Sequence, residues 1–368
     1  VGHLTGSKEE VYMALAQRLN RNPVGCPVNE TLMEILHRIF TVSEAELGSK
    51  FPLLPMTLDK ISEITGQKTA QLAVILEDMA DKGLVVDFKR REETYYMLSP
   101  MVVGFFEWTF MRTGDSKLKE LADLFDIYFA SKEVRQEFFG SNTKMFKAMV
   151  YEELIQAVVE KEVLDYEKAS EVIRKSGGGS IGLCACRHKA SHHGTNCEAP
   201  MDVCTSLGGA SEWLVRRGFA RAATVDELLR NLERTEKYGL VHLADNVLNS
   251  PSFICNCCGC CCGVLRTISE TNIMSVHPSN FIPRPEPESC IGCGTCADRC
   301  PIKAIHLEAG PNGEEIPVID QSICLGCGVC AAGCPSGALP MERRKILHIP
   351  PQNKKEQMVQ IALERKRF

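Results

Sequence analysis

Residues 290–301 read Cys290-Ile-Gly-Cys293-Gly-Thr-Cys296-Ala-Asp-Arg-Cys300-Pro301, and residues 324–335 read Cys324-Leu-Gly-Cys327-Gly-Val-Cys330-Ala-Ala-Gly-Cys334-Pro335. Each run is C-x2-C-x2-C-x3-C-P, so one unit occurs twice as an internal repeat. A pair of zinc sites or a set of disulfides is the competing reading of so many thiols. Doubled spacing with a Pro after each fourth Cys argues against both. The chain has 368 residues and 19 Cys, and every Cys except Cys26 lies between 184 and 334. The start VGHLTGSKEE has no apolar h-region, and no apolar run reaches the roughly 18 residues of a membrane helix. The expected setting is therefore a reducing cytoplasm, where clustered Cys bind metal rather than pair as disulfides. So many clustered Cys suggest an anaerobic or microaerobic one.

The doubled spacing resembles that of bacterial 2[4Fe-4S] ferredoxins. The resemblance implies one cluster on Cys290, Cys293, Cys296 and Cys334, and a second on Cys324, Cys327, Cys330 and Cys300. In each run three thiolates wrap one cubane, and the Cys before Pro reaches across to the other. Gly292, Gly294, Gly326 and Gly328 leave room for backbone N–H groups to approach cluster sulfurs, and such hydrogen bonds help set the potential.

Length implies about two to three domains. The net charge of −5 gives no push toward nucleic acid. It is uneven: from Arg343 to Phe368 eight Lys/Arg face two Glu, a net +6, which leaves −11 on the rest.

At the N-terminus, Ser7-Lys8-Glu9-Glu10 reads as a capping box opening a helix with Val11, Ala14, Leu15 and Leu19 on one face. Asn29 is the expected cap of a second helix carrying Leu32, Ile35, Leu36 and Ile39. Cys26, alone in a Pro-rich turn, reads as packing. Residues 57–98 read as a winged helix. One helix starts at Thr57 and turns at Thr65-Gly66. A second runs over about 69–82 with Leu72, Ile75, Leu76 and Met79 inward. Gly83 stops it, strands follow at 84–86 and 95–98, and the charged segment 89–93 is the wing. The outward positions Gln71, Glu77, Asp78 and Asp81 are poorly suited to phosphate contact, which needs Lys or Arg, although Lys68, Lys89, Arg90 and Arg91 lie nearby. DNA is therefore a disfavoured partner, and a docking module is the simpler reading. Residues 101–175 read as helical, with Leu118, Leu121, Leu124, Phe125 and Tyr128 marking one helix and Leu154, Ile155, Val158 and Val159 another. Phe105, Phe106, Trp108 and Phe110 read as core. The run Ser176-Gly177-Gly178-Gly179-Ser180 marks a boundary.

The middle region carries Cys184-Ala-Cys186-Arg187-His188, then His192, His193, Cys197 and Cys204. Four Cys are enough for one tetrahedral ion or one cubane. Beside two cubanes a third [4Fe-4S] is favoured, with zinc as the alternative. Arg187 would offset the negative charge. His188, His192 and His193 are either extra ligands, a proton relay or simply a polar surface. Residues 209–238 read as helix with Leu228, Leu229 and Leu232 inward. Next comes Cys255-Asn-Cys257-Cys258-Gly259-Cys260-Cys261-Cys262. Disulfides between such neighbours are strained, so metal remains: a fourth cubane, or a site shared with Cys184, Cys186, Cys197 and Cys204. Adjacent Cys also occur in the CCG motif of heterodisulfide reductases. The long flanking spacings of that motif are absent, so its chemistry does not carry over. Pro278, Pro283, Pro285 and Pro287 suggest a stiff linker. Residues 354–368 suggest a basic helix with Met358, Ile361 and Ala362 on one face, which would suit an acidic partner, an anionic membrane surface or plain solvent.

The order of these segments resembles a group of bacterial 4Fe-4S ferredoxin-type proteins, a resemblance that implies electron transfer within a larger redox system. The expected fold class is α+β, mostly helical. Its parts are a helical, winged-helix-like domain (1–100), a helical segment (101–176), a helical Cys-rich cluster-binding domain (177–276), a Pro-rich linker (277–289), a ferredoxin-like 2[4Fe-4S] domain (290–342) and a basic tail (343–368). The expected function is electron transfer at low potential through three to four [4Fe-4S] clusters, as a component of an oxidoreductase complex with redox partner proteins and without a catalytic side chain. The alternatives are an iron-sulfur transcription sensor, an oxidoreductase subunit whose middle cluster binds substrate, and a docking protein with structural zinc. No G-x-G-x-x-G loop or P-loop supports a nucleotide cofactor.

Overall fold

A computed structural model describes residues 2–114, 117–155, 165–310 and 315–367. Helix is in excess over strand. Helices Gly2–Asn20, Glu30–Ile39 and Val42–Lys50 begin the chain. The first is continuous from Gly2, so Ser7 lies inside it and the expected capping box does not start it. Asn29 does cap the second: its Oδ1 accepts from Leu32 N at 2.9 Å. Leu15, Leu19, Leu32, Ile35 and Leu36 are fully buried, and Cys26 joins them in the core, where burial pushes its thiol up to about 12.

Strand β1 (Met56–Thr57) precedes helices Leu58–Thr65 and Thr69–Asp81, and then the hairpin β2 (Val85–Arg90) and β3 (Glu93–Leu98). The sheet order is β1-β3-β2. The strands run longer than the sequence indicated, so the charged segment shrinks to a turn at Arg91 and Glu92. Gly83 is required twice over. Its φ is +79°, and a Cβ would lie 2.6 Å from Trp108 Cβ.

The main departure from the sequence reading is a seven-stranded sheet. Its strands are β4 (Phe146–Met149), β5 (Gly179–Leu183), β6 (Asp202–Leu207), β7 (Ala220–Ala223), β8 (Val241–Asp245), β9 (Phe253–Cys257) and β10 (Val276–His277), in the order β10-β4-β8-β9-β6-β5-β7. All neighbours are antiparallel except β10 and β4. The middle is thus a sheet with helices on its faces, not a helical domain. Segment 101–176 donates β4 to it, and β7 interrupts the helix expected over 209–238, leaving Gly208–Arg216 and Val225–Lys237. At 154–159, Glu152–Leu154 form only a single turn; Val158 and Val159 lie outside the described residues. Residues 277–289 are not a free linker either. They extend β10, supply β11 (Phe281–Pro283), and bury Phe281 and Ile282.

β6 and β9 decide what the sheet presents. Thr205 pairs with Ile254 and Ser206 with Phe253. Side chains alternate across a strand, so Val203, Thr205 and Ile254 share one face, and Cys204, Cys255 and Cys257 share the other. Helices Ala169–Ser176 and Val225–Lys237 cover the first face: Ile173, Leu228 and Leu232 pack on Ile181, Leu207 and Ile254, and Asn231 donates to Val203 O.

The ferredoxin-type region adds hairpin β12 (Ile305–Ala309) and β13 (Glu315–Ile319), short helices Thr295–Arg299 and Val329–Ala332, and strand β14 (Met341–Arg343) paired with β11. The basic tail forms helix Lys354–Glu364, which docks on the body. Gln357 Nε2 donates to Lys144 O, Met145 O and Asn246 O. Lys354 pairs with Asp245, and Arg365 and Arg367 both pair with Glu137.

The N-terminal module is docked through charge. Arg217, only 6% exposed at its side chain, pairs with Glu77, Asp81 and Asp87. Trp213 Nε1 donates to Asp87 at 3.0 Å. Burial raises the Asp87 carboxyl, but the bonds from Arg217, Arg216 and Trp213 outweigh it and hold it low. A carboxylate held low stabilises the fold above its unfolded value and loses that contribution as pH falls through the folded one. Arg217→Ala leaves Asp87 buried with less compensation. It is expected to cost about 3–5 kcal/mol and to move acid unfolding to higher pH, measured as thermal midpoints of wild type and variant from pH 7 down to 4.

Candidate metal centres

The ten middle cysteines form two groups, and both draw on the 184–204 and the 255–262 segments. The deep group lies on the sheet face described above. Cys204 contacts Cys255, Cys255 contacts Cys257, Cys257 contacts Cys262, and Cys262 contacts Cys186. Cys184 lies beside Cys255 and Cys262. Local structure explains each position. Cys184 follows β5 and starts helix Ala185–Ser191, whose first turn carries Cys186. Cys262 starts helix Gly263–Thr271, and its sulfur accepts from Leu265 N and Val264 N. These contacts and those from Cys186 and Cys257 hold its thiol low. Opposite Cys204 on β5 is Gly182, whose missing side chain makes room for Met111.

Glu107 of helix Phe106–Phe110 completes the deep group. Its Oε2 accepts from Gly104 N at 2.7 Å. Burial pushes its carboxyl up to about 8, and the negative sulfurs of Cys255 and Cys262 add to the push. Glu107 was not singled out in the sequence. The available signal was a lone carboxylate inside Phe105-Phe106-Glu107-Trp108.

The second group is Cys197, Cys258, Cys260 and Cys261. Their Sγ atoms all lie within 4.8 Å of one another, and Cys260 Sγ is 3.5 Å from Cys261 Sγ. Cys261 is buried and Cys260 exposed. Arg187 stands between the two groups and is fully buried. It donates to Pro200 O at 2.6 Å and to Asn256 O at 3.4 Å, and faces the sulfurs of Cys184, Cys258 and Cys197. Burial would lower its pKa, but Cys184 and Cys258 overcome this and hold the guanidinium charged.

The three histidines lie elsewhere. His188 Nδ1 is 2.7 Å from Phe110 O, the His192 ring lies tilted against that of His188 at 5.0 Å, and His193 sits between Asp123 and Asp126 of helix Leu118–Ala130.

In the ferredoxin-type region, Cys290, Cys293, Cys296 and Cys334 line one pocket. Cys327 and Cys330 instead sense Cys324 and Cys300. The Cys before each Pro therefore sits with the other run's three thiols. Gly294 and Gly328 have φ of +72° and +85°, and each precedes the first residue of a short helix. A Cβ on Gly328 would also meet Leu154 at 2.7 Å. Ala304 N donates to Cys300 Sγ at 3.2 Å. Arg344, which the sequence reading did not single out, donates to Cys324 O at 2.8 Å and faces the Cys324 sulfur. Two quartets of soft thiol donors with backbone N–H groups nearby suit iron-sulfur clusters.

Residues 289–338 match the family model of the 4Fe-4S dicluster domain. They form a 4Fe-4S ferredoxin-type domain, which supports bound iron-sulfur clusters. With the cysteine content, the match points to iron-sulfur electron transfer. No curated protein and no solved structure matches the chain. Among the described residues no helix is long and apolar enough to cross a membrane.

Arg187 is the charge shared by both middle groups. Groups that support metal ligands typically change affinity about 10–100-fold when removed. Arg187→Ala is expected to weaken metal retention in the middle region by that order, and Arg187→Lys to restore little, because an ammonium lacks the planar fork that reaches both sides. Metal content after a chelator challenge checks this.

Proposed function

We propose that this protein carries electrons between a partner that docks at its ferredoxin-type domain and an iron-sulfur centre held by the deep cysteines. The ligands in this reading are Cys290, Cys293, Cys296 and Cys334 for the outer cluster, and Cys324, Cys327, Cys330 and Cys300 for the inner one. Cys184, Cys186, Cys204, Cys255, Cys257 and Cys262 hold the third centre. When bound, the clusters supply one-electron storage at low potential.

The observation that carries this reading is the contact between the two regions. The turn Cys258-Gly259-Cys260 packs so closely on Pro301 that a Cβ on Gly259 would collide with the Pro301 backbone. Pro301 follows Cys300. Behind this contact, Cys257, Cys262, Ile302, Cys324 and Cys327 belong to one continuous core, and Tyr151 N donates to Cys327 O at 3.2 Å while its hydroxyl donates to Leu240 O at 2.7 Å. Members of the deep group and of the inner quartet thus share one core. The outer quartet faces solvent: Cys293 is exposed, and neighbouring Ile291 is 65% exposed, which suits a partner's apolar contact.

A reductive titration under strict anaerobiosis tests this. The wild type is expected to take up at least three electrons per chain, and Cys204→Ser/Cys255→Ser/Cys257→Ser, which leaves the deep group three thiols, about two, one per ferredoxin cluster. Uptake of only two electrons by the wild type, or the same uptake by both proteins, would sink the proposal.

A further inference from the structure

The two middle groups differ in shape, and the difference points to different contents. The deep thiols are strung out along a sheet face and two helix starts. The other four are bunched. Among the described residues, Cys197, Cys258, Cys260 and Cys261 are the group of possible ligands drawn within 4.8 Å of one another.

We infer that Cys197, Cys258, Cys260 and Cys261 hold a single divalent metal ion, Zn²⁺ or Fe²⁺, as a tetrathiolate site separate from the iron-sulfur clusters. Four sulfurs at about 2.3 Å from one ion sit about 3.8 Å apart at the corners of a tetrahedron. The bunched sulfurs match that scale. In a cubane each cysteine binds a different iron, so the metal–sulfide core holds the ligand sulfurs further apart. The sequence supplies the bunching. Cys258, Cys260 and Cys261 lie on one tight turn around Gly259, and Cys262 N donates back to Cys258 O at 3.3 Å. Cys197 comes from the loop after helix Ala185–Ser191.

Charge supports the assignment. Four thiolates on a divalent ion leave a net −2, and the buried Arg187 guanidinium faces two of those sulfurs, Cys197 and Cys258. Binding releases the thiol protons to solvent and changes no oxidation state, so the site needs no co-reactant. Its position gives it a task. The ion would lock the turn that rests on Pro301, and so fix the deep centre against the inner ferredoxin quartet.

The site can be tested by metal and acid-labile sulfide analysis of the anaerobically purified full chain, comparing wild type with Cys260→Ser and, separately, Cys197→Ser. Cys260 is exposed, so its replacement is the milder change. Each variant is expected to lose about one zinc or one iron per chain with sulfide unchanged; which metal falls identifies the ion. Loss of about four irons together with about four sulfides would place a cubane there and overturn the inference, as would variants with unchanged metal content. A second readout uses Co²⁺ alone. Wild type stripped of the labile ion and loaded with Co²⁺ should show the intense visible bands of tetrahedral thiolate coordination, and Cys260→Ser should not. Wild type without those bands would overturn the inference. Either result leaves the three-electron titration to stand or fall separately.

Discussion

Thr205 opposite Ile254 on β6 and β9 is the pairing on which the molecule depends. Strand side chains alternate with a period of two, so a slip of β9 by one residue would send Cys255 and Cys257 toward the helices that now pack on Ile254 and Leu207. Both faces resist such a slip. On one side are Leu228, Leu232 and Asn231, which already spend their contacts. On the other side the thiols meet Cys184, Cys186 and Cys262, delivered by the starts of two helices. Apolar burial on the first face thus holds a row of sulfurs in register on the second.

Two cations face the thiols, Arg187 fully buried and Arg344 half-buried. Arg187 serves the middle groups, and Arg344 serves Cys324. The N-terminal module is fixed by the same means: Arg217 binds the acidic face of helix Thr69–Asp81 and the buried Asp87. On that face, unsuited to phosphate in the sequence, Glu77 and Asp81 pair with Arg217 while staying exposed. The tail helix is also tied down, with Lys354, Arg365 and Arg367 paired to Asp245 and Glu137.

What the sequence made legible was local. The doubled C-x2-C-x2-C-x3-C-P run carries its own spacing, and the N-terminal helices carry caps and a 3.6-residue pattern at Asn29 and Leu32. The seven-stranded sheet was hidden for physical reasons. β8 is buried on both faces, so Val241 to Asp245 show no polar alternation. β4 is four residues long inside a helical segment, and its partners β8 and β10 are far away in sequence. In β6 and β9 one face carries Cys204, Cys255 and Cys257, which read as metal ligands and not as strand positions. The grouping of the ten middle cysteines was hidden for the same reason. Cys197 joins Cys258, Cys260 and Cys261 only once strand pairing has brought the two segments together.

The central claim is that the deep cysteines hold an iron-sulfur centre built into the same body as the ferredoxin clusters. Acid-labile sulfide in anaerobically purified full-length chain tests it most directly, because a mononuclear ion contributes none. Counting four sulfides per cubane, about twelve or more per chain are expected. About eight would confine sulfide to the ferredoxin-type domain and contradict the account.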